Sequence, residues 1–126
     1  MKWLSNLLFG AKVTASFEEE FANGNLGATP TIVWANGQKQ KGTLNAGAAI
    51  AFDFTGVGIG HYQLRLIQDA TGGRTVSWGT GTPGSGRWLG SASAPAINAA
   101  ATGETIVSIF WDGTNATGSL AKVGAA

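Results

Sequence analysis

The chain has 126 residues, of which 12% are charged, and its formal net charge at neutral pH is +1. A chain of this length buries roughly two-thirds of its unfolded surface, so we expect one domain with a modest core. The near-neutral charge, without a dense basic run, argues against nucleic-acid binding. The absence of cysteine excludes disulfides, thiolate chemistry and cysteine-ligated zinc. No apolar run approaches the ~20 residues of a membrane span, so we expect no membrane partner.

The sparse charge and the 20 glycines distinguish the chain from a typical free monomer, which keeps a charged surface for solubility. This composition favours a subunit that hides much of its surface against neighbouring subunits. A stable monomer with a surface rich in Ser, Thr and Ala is the alternative.

Residues 1–28 differ from the rest of the chain and predict a short helical arm. Its first apolar residues fall at helical spacing, and they are Trp3, Leu4, Leu7 and Leu8. Ser16 and Glu19 have the spacing of a capping box, and Phe17 and Phe21 would share a helix face. Such short helices are marginal in water. These side chains therefore either pack on the chain's own β-domain or anchor the subunit to another protein.

Residues 29–126 have the pattern of β-strands and are predicted to form the second unit, a β-domain. Asn36-Gly37 has the sequence of a two-residue hairpin turn. The lysines within residues 38–41 are typical of an edge or solvent-facing strand. Apolar side chains then alternate with other residues along two further segments, at Ile50, Phe52, Phe54, Tyr62, Leu64 and Leu66.

Two segments of the second half have the pattern strand–turn–strand. Residues 64–78 read LRLIQDATGGRTVSW and residues 108–115 read SIFWDGTN, each with Asp and Gly at the turn. Residues 105–111 are nearly continuous in apolar side chains and are expected in a central strand. The chain therefore predicts an all-β fold with roughly seven to eight short strands joined by antiparallel hairpins. This is an antiparallel β-sandwich or a small jelly-roll-like barrel.

No catalytic, cofactor-binding or metal-binding site is predicted. The GVGIG run of residues 56–60 lacks both a following helix and the Gly-Lys-Ser/Thr of a phosphate loop. His61 is the only histidine and is expected to be a strand or interface residue. Asp69 and Asp112 occupy turn positions where Asp caps its own backbone, and Arg74 is positioned to pair with Asp69. No acid–base pair of a glycosidase can be nominated, so we predict no enzymatic activity.

Tryptophan offers the clearest candidate for an exposed contact. Trp78 and Trp88 lie on either side of the glycine-rich residues 79–86, and Arg87 adjoins the second ring. Aromatic rings stack on sugar rings and anchor protein interfaces. Trp111 lies in the most apolar strand and is expected in the core.

A set of segments in the β-domain carries a resemblance to a known family. They are TPTIVW (residues 29–34), KGTL (41–44), IAFDF (50–54), LIQDATGGRTVSW (66–78), APAI (94–97) and IFWDGTN (109–115). In this order they resemble a small β-rich structural domain of tailed-bacteriophage virion proteins, among them tail-fibre, tail-tip and head-surface proteins. The resemblance implies a non-enzymatic virion component, commonly a homotrimer. The loop of residues 79–86 departs from it, because a more compact Trp-Pro-containing segment is usual there.

The chain starts with Met and carries only a short arm, so we expect a stand-alone subunit. This favours a capsid-decoration (cement) or head-fibre protein on the capsid surface, without any cofactor. Its arm would contact the major capsid protein or another virion protein through Trp3, Leu4, Leu7, Leu8, Phe17 and Phe21. The alternative is a receptor- or carbohydrate-binding module of a tail fibre or tail tip. It would bind a host-surface glycan through Trp78, Arg87 and Trp88.

Overall fold

The computed structural model describes residues 19–124. This part of the chain contains eight β-strands and, apart from one 3-10 turn at Trp34–Asn36, no helix. The strands are β1 (Phe21–Asn25), β2 (Thr31–Val33), β3 (Lys39–Leu44), β4 (Ala48–Asp53), β5 (Gly60–Gln68), β6 (Val76–Trp78), β7 (Glu104–Trp111) and β8 (Ala116–Val123). The predicted all-β class is confirmed.

The strands form two open sheets. The larger has the order β1-β3-β5-β7-β8 and the smaller has the order β2-β4-β6. One hydrophobic cluster contains buried residues of both sheets, which is the layering expected of a sandwich. Neither sheet closes on itself, so the predicted barrel alternative is wrong.

From β1 to β7 the chain alternates between the two sheets. Strands β1, β3 and β5 therefore pair in parallel, as do β2, β4 and β6. Only the β5–β7 and β7–β8 pairs are antiparallel. Parallel neighbours need a crossover rather than a tight turn, and here a strand of the opposite sheet supplies it. The prediction of antiparallel hairpins throughout the domain is wrong, because three two-strand coils precede the final hairpin.

Asn36-Gly37 does not form the predicted hairpin. The adjacent Trp34 is 1% exposed and meets Phe52 of β4 edge to face, with ring centroids 5.2 Å apart. Burial of this ring fits the 3-10 turn at Trp34–Asn36, through which the chain leaves the small sheet and enters the large one. Residues 69–75 likewise connect β5 to β6 across the sheets. Their turn therefore does not pair the strands on either side.

The turn after Trp111 is the predicted hairpin, and β7 and β8 pair antiparallel from Trp111↔Ala116 onward. Asp112 Oδ1 accepts hydrogen bonds from the backbone N–H groups of Thr114 (2.8 Å) and Asn115 (2.6 Å). The aspartate thus caps its own turn, as its position in the sequence predicts.

Strand β3 lies inside the large sheet, so the predicted edge strand is wrong, but its two lysines face outward, as the solvent-facing alternative predicts. Gln40 is fully buried and its Nε2 donates to the carbonyls of Val33 (2.8 Å) and Gly37 (2.9 Å). Its Oε1 accepts from Asn23 Nδ2 at 3.1 Å. Both polar atoms of this amide have partners, so a polar residue is accommodated in the interior. The charged residues flanking it turn to the other face.

The predicted alternation of β4 and β5 is confirmed, because each apolar residue expected inward is buried. These residues are Ile50, Phe52, Phe54, Tyr62, Leu64 and Leu66. Trp111 is half-buried and packs against the cluster, stacking on Phe54 with ring centroids 4.2 Å apart and planes 1° from parallel. The core therefore lies between the sheets, and alternate residues of the large sheet face outward.

The predicted helical arm is wrong at its end nearest the β-domain. Phe21–Asn25 is strand β1, and Phe21 pairs with Gln40 in a parallel ladder. Asn23 Nδ2 also donates to the carbonyl of Lys41 of β3 at 3.0 Å, which attaches this segment to the large sheet. The arm residues Trp3, Leu4, Leu7, Leu8 and Phe17 lie outside the described residues.

Candidate functional site

The outer face of the large sheet is divided into two halves, and one of them is occupied by ion pairs. Arg65 of β5 donates to Glu20 (2.8 Å) and to Glu104 of β7 (3.1 Å). The hydrogen bond from Arg65 lowers the pKa of Glu20 below its usual range. Charges in this half are therefore largely compensated within the chain.

Two rows of side chains form the other half. The sheet register aligns Lys39, Gln63, Ser108 and Ser119 on four neighbouring strands. One step along the strands, His61 lies opposite Phe110, and their rings are 5.2 Å apart between centroids. Neighbouring strands lie about 4.8 Å apart, so each row presents its groups at regular spacing. We call this half the outer-face groove.

The groove consists of two adjoining depressions of about 420 and 530 Å³ that share His61, Ser108 and Ile109. Leu89 and Phe110 are its exposed apolar residues, with 63% and 39% of their surface in solvent. Its full lining is Gln38, Lys39, His61, Tyr62, Gln63, Arg87, Leu89, Ser108, Ile109, Phe110, Asp112, Thr117 and Ser119. An open, partly apolar groove with polar groups in rows is typical of a ligand-contact surface.

Several polar groups of the groove are uncommitted within the described part of the chain. There, the side chains of Gln63, Ser108 and Ser119 form no hydrogen bond with protein atoms, and Lys39 forms no ion pair. Glutamine and serine side chains supply donors as well as acceptors. The groove therefore offers hydrogen-bonding capacity beside the Phe110 ring.

One end of the groove is built by the segment that follows the glycine-rich loop. Leu89 N–H donates to the Gly118 carbonyl (2.7 Å), and Gly118 N–H donates to the Arg87 carbonyl (3.0 Å). These bonds attach residues 87–89 to β8. Arg87 Nη2 donates to Thr117 Oγ1 at 2.7 Å and lies 3.7 Å from Asp112 Oδ2. Backbone hydrogen bonds from Asn115 and Thr114 lower the pKa of Asp112, so its carboxylate is charged at neutral pH.

Trp78, Arg87 and Trp88, the three residues of the predicted exposed contact, do not share one surface. Trp88 is 4% exposed, so the prediction that it is an exposed contact is wrong. Its ring lies 5.2 Å from that of Trp78, which is itself half-buried against the core. Arg87 points to the groove instead, because neighbouring side chains of an extended segment face opposite ways. Of the predicted anchoring residues, Phe21 is described, and 40% of its surface is exposed on β1.

The sequence profile of one protein family, described as "putative phage tail fibre C-terminal domain", matches residues 39–116. This is more than half of the chain. The chain belongs to this tail fibre domain family. Its resemblance to virion structural domains of tailed phages is thereby confirmed. No curated protein and no solved structure matches the chain.

The segment shared with the tail fibre domain family runs from the start of β3 to the start of β8. It includes the groove residues Lys39, His61, Gln63, Ser108 and Phe110. Sequence reasoning did not predict them as a site, because each is unremarkable by itself. The available signal was the alternation of side chains along each strand, because each of these residues occupies an outward-facing position.

Other kinds of site are not observed in residues 19–124. No group of three or more His, Cys, Asp or Glu side chains there is placed to hold a metal ion. Within the same residues, no helix is long and apolar enough to cross a membrane.

Proposed function

We propose that this chain is a non-enzymatic tail fibre module that contacts the host cell surface through the outer-face groove. The membership of a tail fibre domain family carries the proposal. The groove supports it, because an exposed phenyl ring is surrounded there by amide and hydroxyl groups without partners in the described chain. Such a combination suits recognition of a polar surface molecule that also has apolar faces.

A position in the tail has more support than a position on the capsid. The family description names tail fibres and gives no support to a cement or head-fibre role. Phe21 is the one described residue of the expected capsid anchor, and it lies in a sheet strand rather than on a helix. We therefore favour the tail module over capsid decoration.

Five of the six carboxylates in residues 19–124 support a binding role rather than hydrolysis. A general acid at neutral pH needs a raised pKa. The pKa values of Asp53, Asp69 and Asp112 are instead lowered, by hydrogen bonds from Thr55, Arg74 and the Asn115 backbone respectively. Glu20 and Glu104 both pair with Arg65. Each of these carboxylates already has a structural partner.

We also propose that the module works as a homotrimer. The resemblance to virion domains that are commonly homotrimers suggests the stoichiometry. The charged fraction of 12% supports association, because it leaves the chain little ionised surface for a free protomer. Sedimentation equilibrium measures the assembly directly, and a protomer mass at all working concentrations would contradict it.

Adsorption to bacterial cells tests the binding role. The labelled protein is mixed with cells of the bacterium that the encoding virus infects, and the bound fraction is measured. We expect saturable binding that falls about tenfold in Phe110→Ala, because truncation of a central aromatic contact has this size of effect. The matched control is Val123→Ala, which removes a 48% exposed apolar side chain from the same sheet face outside the groove. Absence of wild-type binding, or equal binding by Phe110→Ala, would contradict the proposal.

A further inference from the structure

We propose that the outer-face groove binds an acidic glycan, with a sugar carboxylate of the ligand paired to Lys39. This inference rests on the proposed host-surface role and specifies the chemistry of the ligand.

A sugar fits the arrangement of the groove. The ring of Phe110 offers an apolar face, and that of His61 lies beside it, with ring centroids 5.2 Å apart and planes inclined by 49°. The C–H face of a pyranose packs on such rings, whereas its hydroxyl groups need donors and acceptors at the sides. Gln63, Ser108 and Ser119 form that polar row in the adjacent register positions. Their spacing along neighbouring strands suits several hydroxyl groups of an extended chain of sugars.

The charges of the groove favour a negative ligand. Its lining contains two cationic side chains, Lys39 and Arg87, and one carboxylate, Asp112. Asp112 accepts two backbone N–H bonds and lies 3.7 Å from Arg87, so its charge is already engaged. Lys39 lies at the other depression and pairs with no carboxylate in residues 19–124.

Glu20, whose carboxylate is close enough to feel the charge of this lysine, is also engaged elsewhere. Glu20 is hydrogen-bonded to Arg65, which is the main cause of its lowered pKa, and Lys39 contributes only a weaker attraction. Lys39 thus places an unpaired ammonium group at one end of the groove, whereas the charges at the other end, on Arg87 and Asp112, face each other. A carboxylate on the bound sugar would pair with it through a charge-assisted hydrogen bond, which is stronger than a bond between neutral groups.

The test uses the polysaccharide extracted from the infected bacterium, immobilised in two forms. One form is intact, and in the other the carboxylates have been reduced to alcohols. We expect the wild-type chain to bind the intact form at least about tenfold more tightly than the reduced form, because a charge-assisted contact is lost. Raised salt should weaken binding to the intact form only.

Two variants locate the effect. Lys39→Gln should reduce binding to the intact polysaccharide about tenfold and leave binding to the reduced form unchanged. Lys122→Gln is the matched control, because Lys122 is an exposed lysine on β8 outside the groove. This variant should bind the intact polysaccharide as tightly as the wild type does. Circular dichroism of each variant verifies that the fold is retained.

The results distinguish the inference from the proposed function. Adsorption to cells with equal binding to both polysaccharide forms, or with no polysaccharide binding, would overturn the acidic-glycan inference and leave the host-surface role intact. Equal losses in Lys39→Gln and Lys122→Gln would also overturn it. Failure to adsorb to cells would remove both proposals.

Discussion

Trp78 and Trp88 pack against each other across the base of the glycine-rich loop, with ring centroids 5.2 Å apart and planes inclined by 57°. The loop between them therefore begins and ends at one aromatic contact. Trp88 also packs closely on Gly118 of β8. A Cβ atom added at this glycine would lie only 3.1 Å from the Trp88 ring, so there is no room for a larger residue. The pair joins the small sheet to the last strand of the large one.

Replacement of Trp88 by alanine should lower the free energy of unfolding by about 3–5 kcal/mol, because a large buried ring leaves a cavity. Leu89→Ala is the neighbouring control, and its 63% exposed side chain predicts a change within about 0.5 kcal/mol. Urea unfolding followed by tryptophan fluorescence measures both. Equal stability of the two variants would contradict the burial of Trp88.

Gln68 is expected to stabilise the crossover from β5 to β6. This residue is 2% exposed, its Nε2 donates to the carbonyls of Arg74 (2.9 Å) and Asn98 (3.1 Å), and its Oε1 accepts from Arg74 N–H (3.0 Å). Gln68→Leu leaves these backbone groups without partners and should cost at least about 2 kcal/mol of unfolding free energy. Gln63→Leu, at an exposed position of the same strand, should cost less than about 0.5 kcal/mol. Chemical denaturation compares the two, and similar losses would refute the role of Gln68.

Two glycines of one loop should respond differently to alanine. Gly81 has φ +79°, and a Cβ there would collide with the Phe52 carbonyl oxygen, whereas Gly84 has no atom within 4 Å of its added Cβ. Gly81→Ala should therefore destabilise the protein by at least about 2 kcal/mol, from left-handed backbone strain and overlap with fixed backbone. Gly84→Ala should be neutral or slightly stabilising. Thermal unfolding of both variants provides the comparison, and a stable Gly81→Ala would be inconsistent with the close approach to β4.

Acid should destabilise the folded chain through Asp69 and Asp112. Hydrogen bonds from Arg74 lower the pKa of Asp69, and those from the Asn115 and Thr114 backbone lower the pKa of Asp112. Both folded-state pKa values lie below the ordinary value of 3.8, so the unfolded chain binds protons first as the pH falls. These hydrogen bonds therefore stabilise the folded chain at pH values above the ordinary carboxyl pKa. Their contribution to the free energy of unfolding is lost as the pH falls through the lowered pKa values of the folded state.

Melting temperatures measured between neutral pH and pH values below the ordinary carboxyl range should show this decline. Asp112→Asn retains an oxygen acceptor for the turn but cannot ionise, so its decline should be shallower than that of wild type. An identical pH profile for the variant would show that Asp112 makes no contribution to the acid sensitivity.

The sequence by itself determined the strands that follow β1 and several of their inward faces. Alternation at Ile50, Phe52 and Phe54 is a local property, because successive side chains of any strand point to opposite sides. The Asp112 turn was equally predictable, since its hydrogen bonds involve residues within three positions along the chain. The family resemblance also depends on such local segments.

Strand partnership was decided only by the tertiary structure. Asn36-Gly37 is compatible with a hairpin, but the structure buries Trp34 between the sheets and places β2 and β3 in different sheets. Burial of so large an apolar side chain is strongly stabilising. The groove arises from the same long-range arrangement. Lys39, Gln63, Ser108 and Ser119 come from four strands, and they form a row only because parallel coils and a final hairpin set the register. Local spacing carries no information about which strands become neighbours, because that choice depends on the shared core.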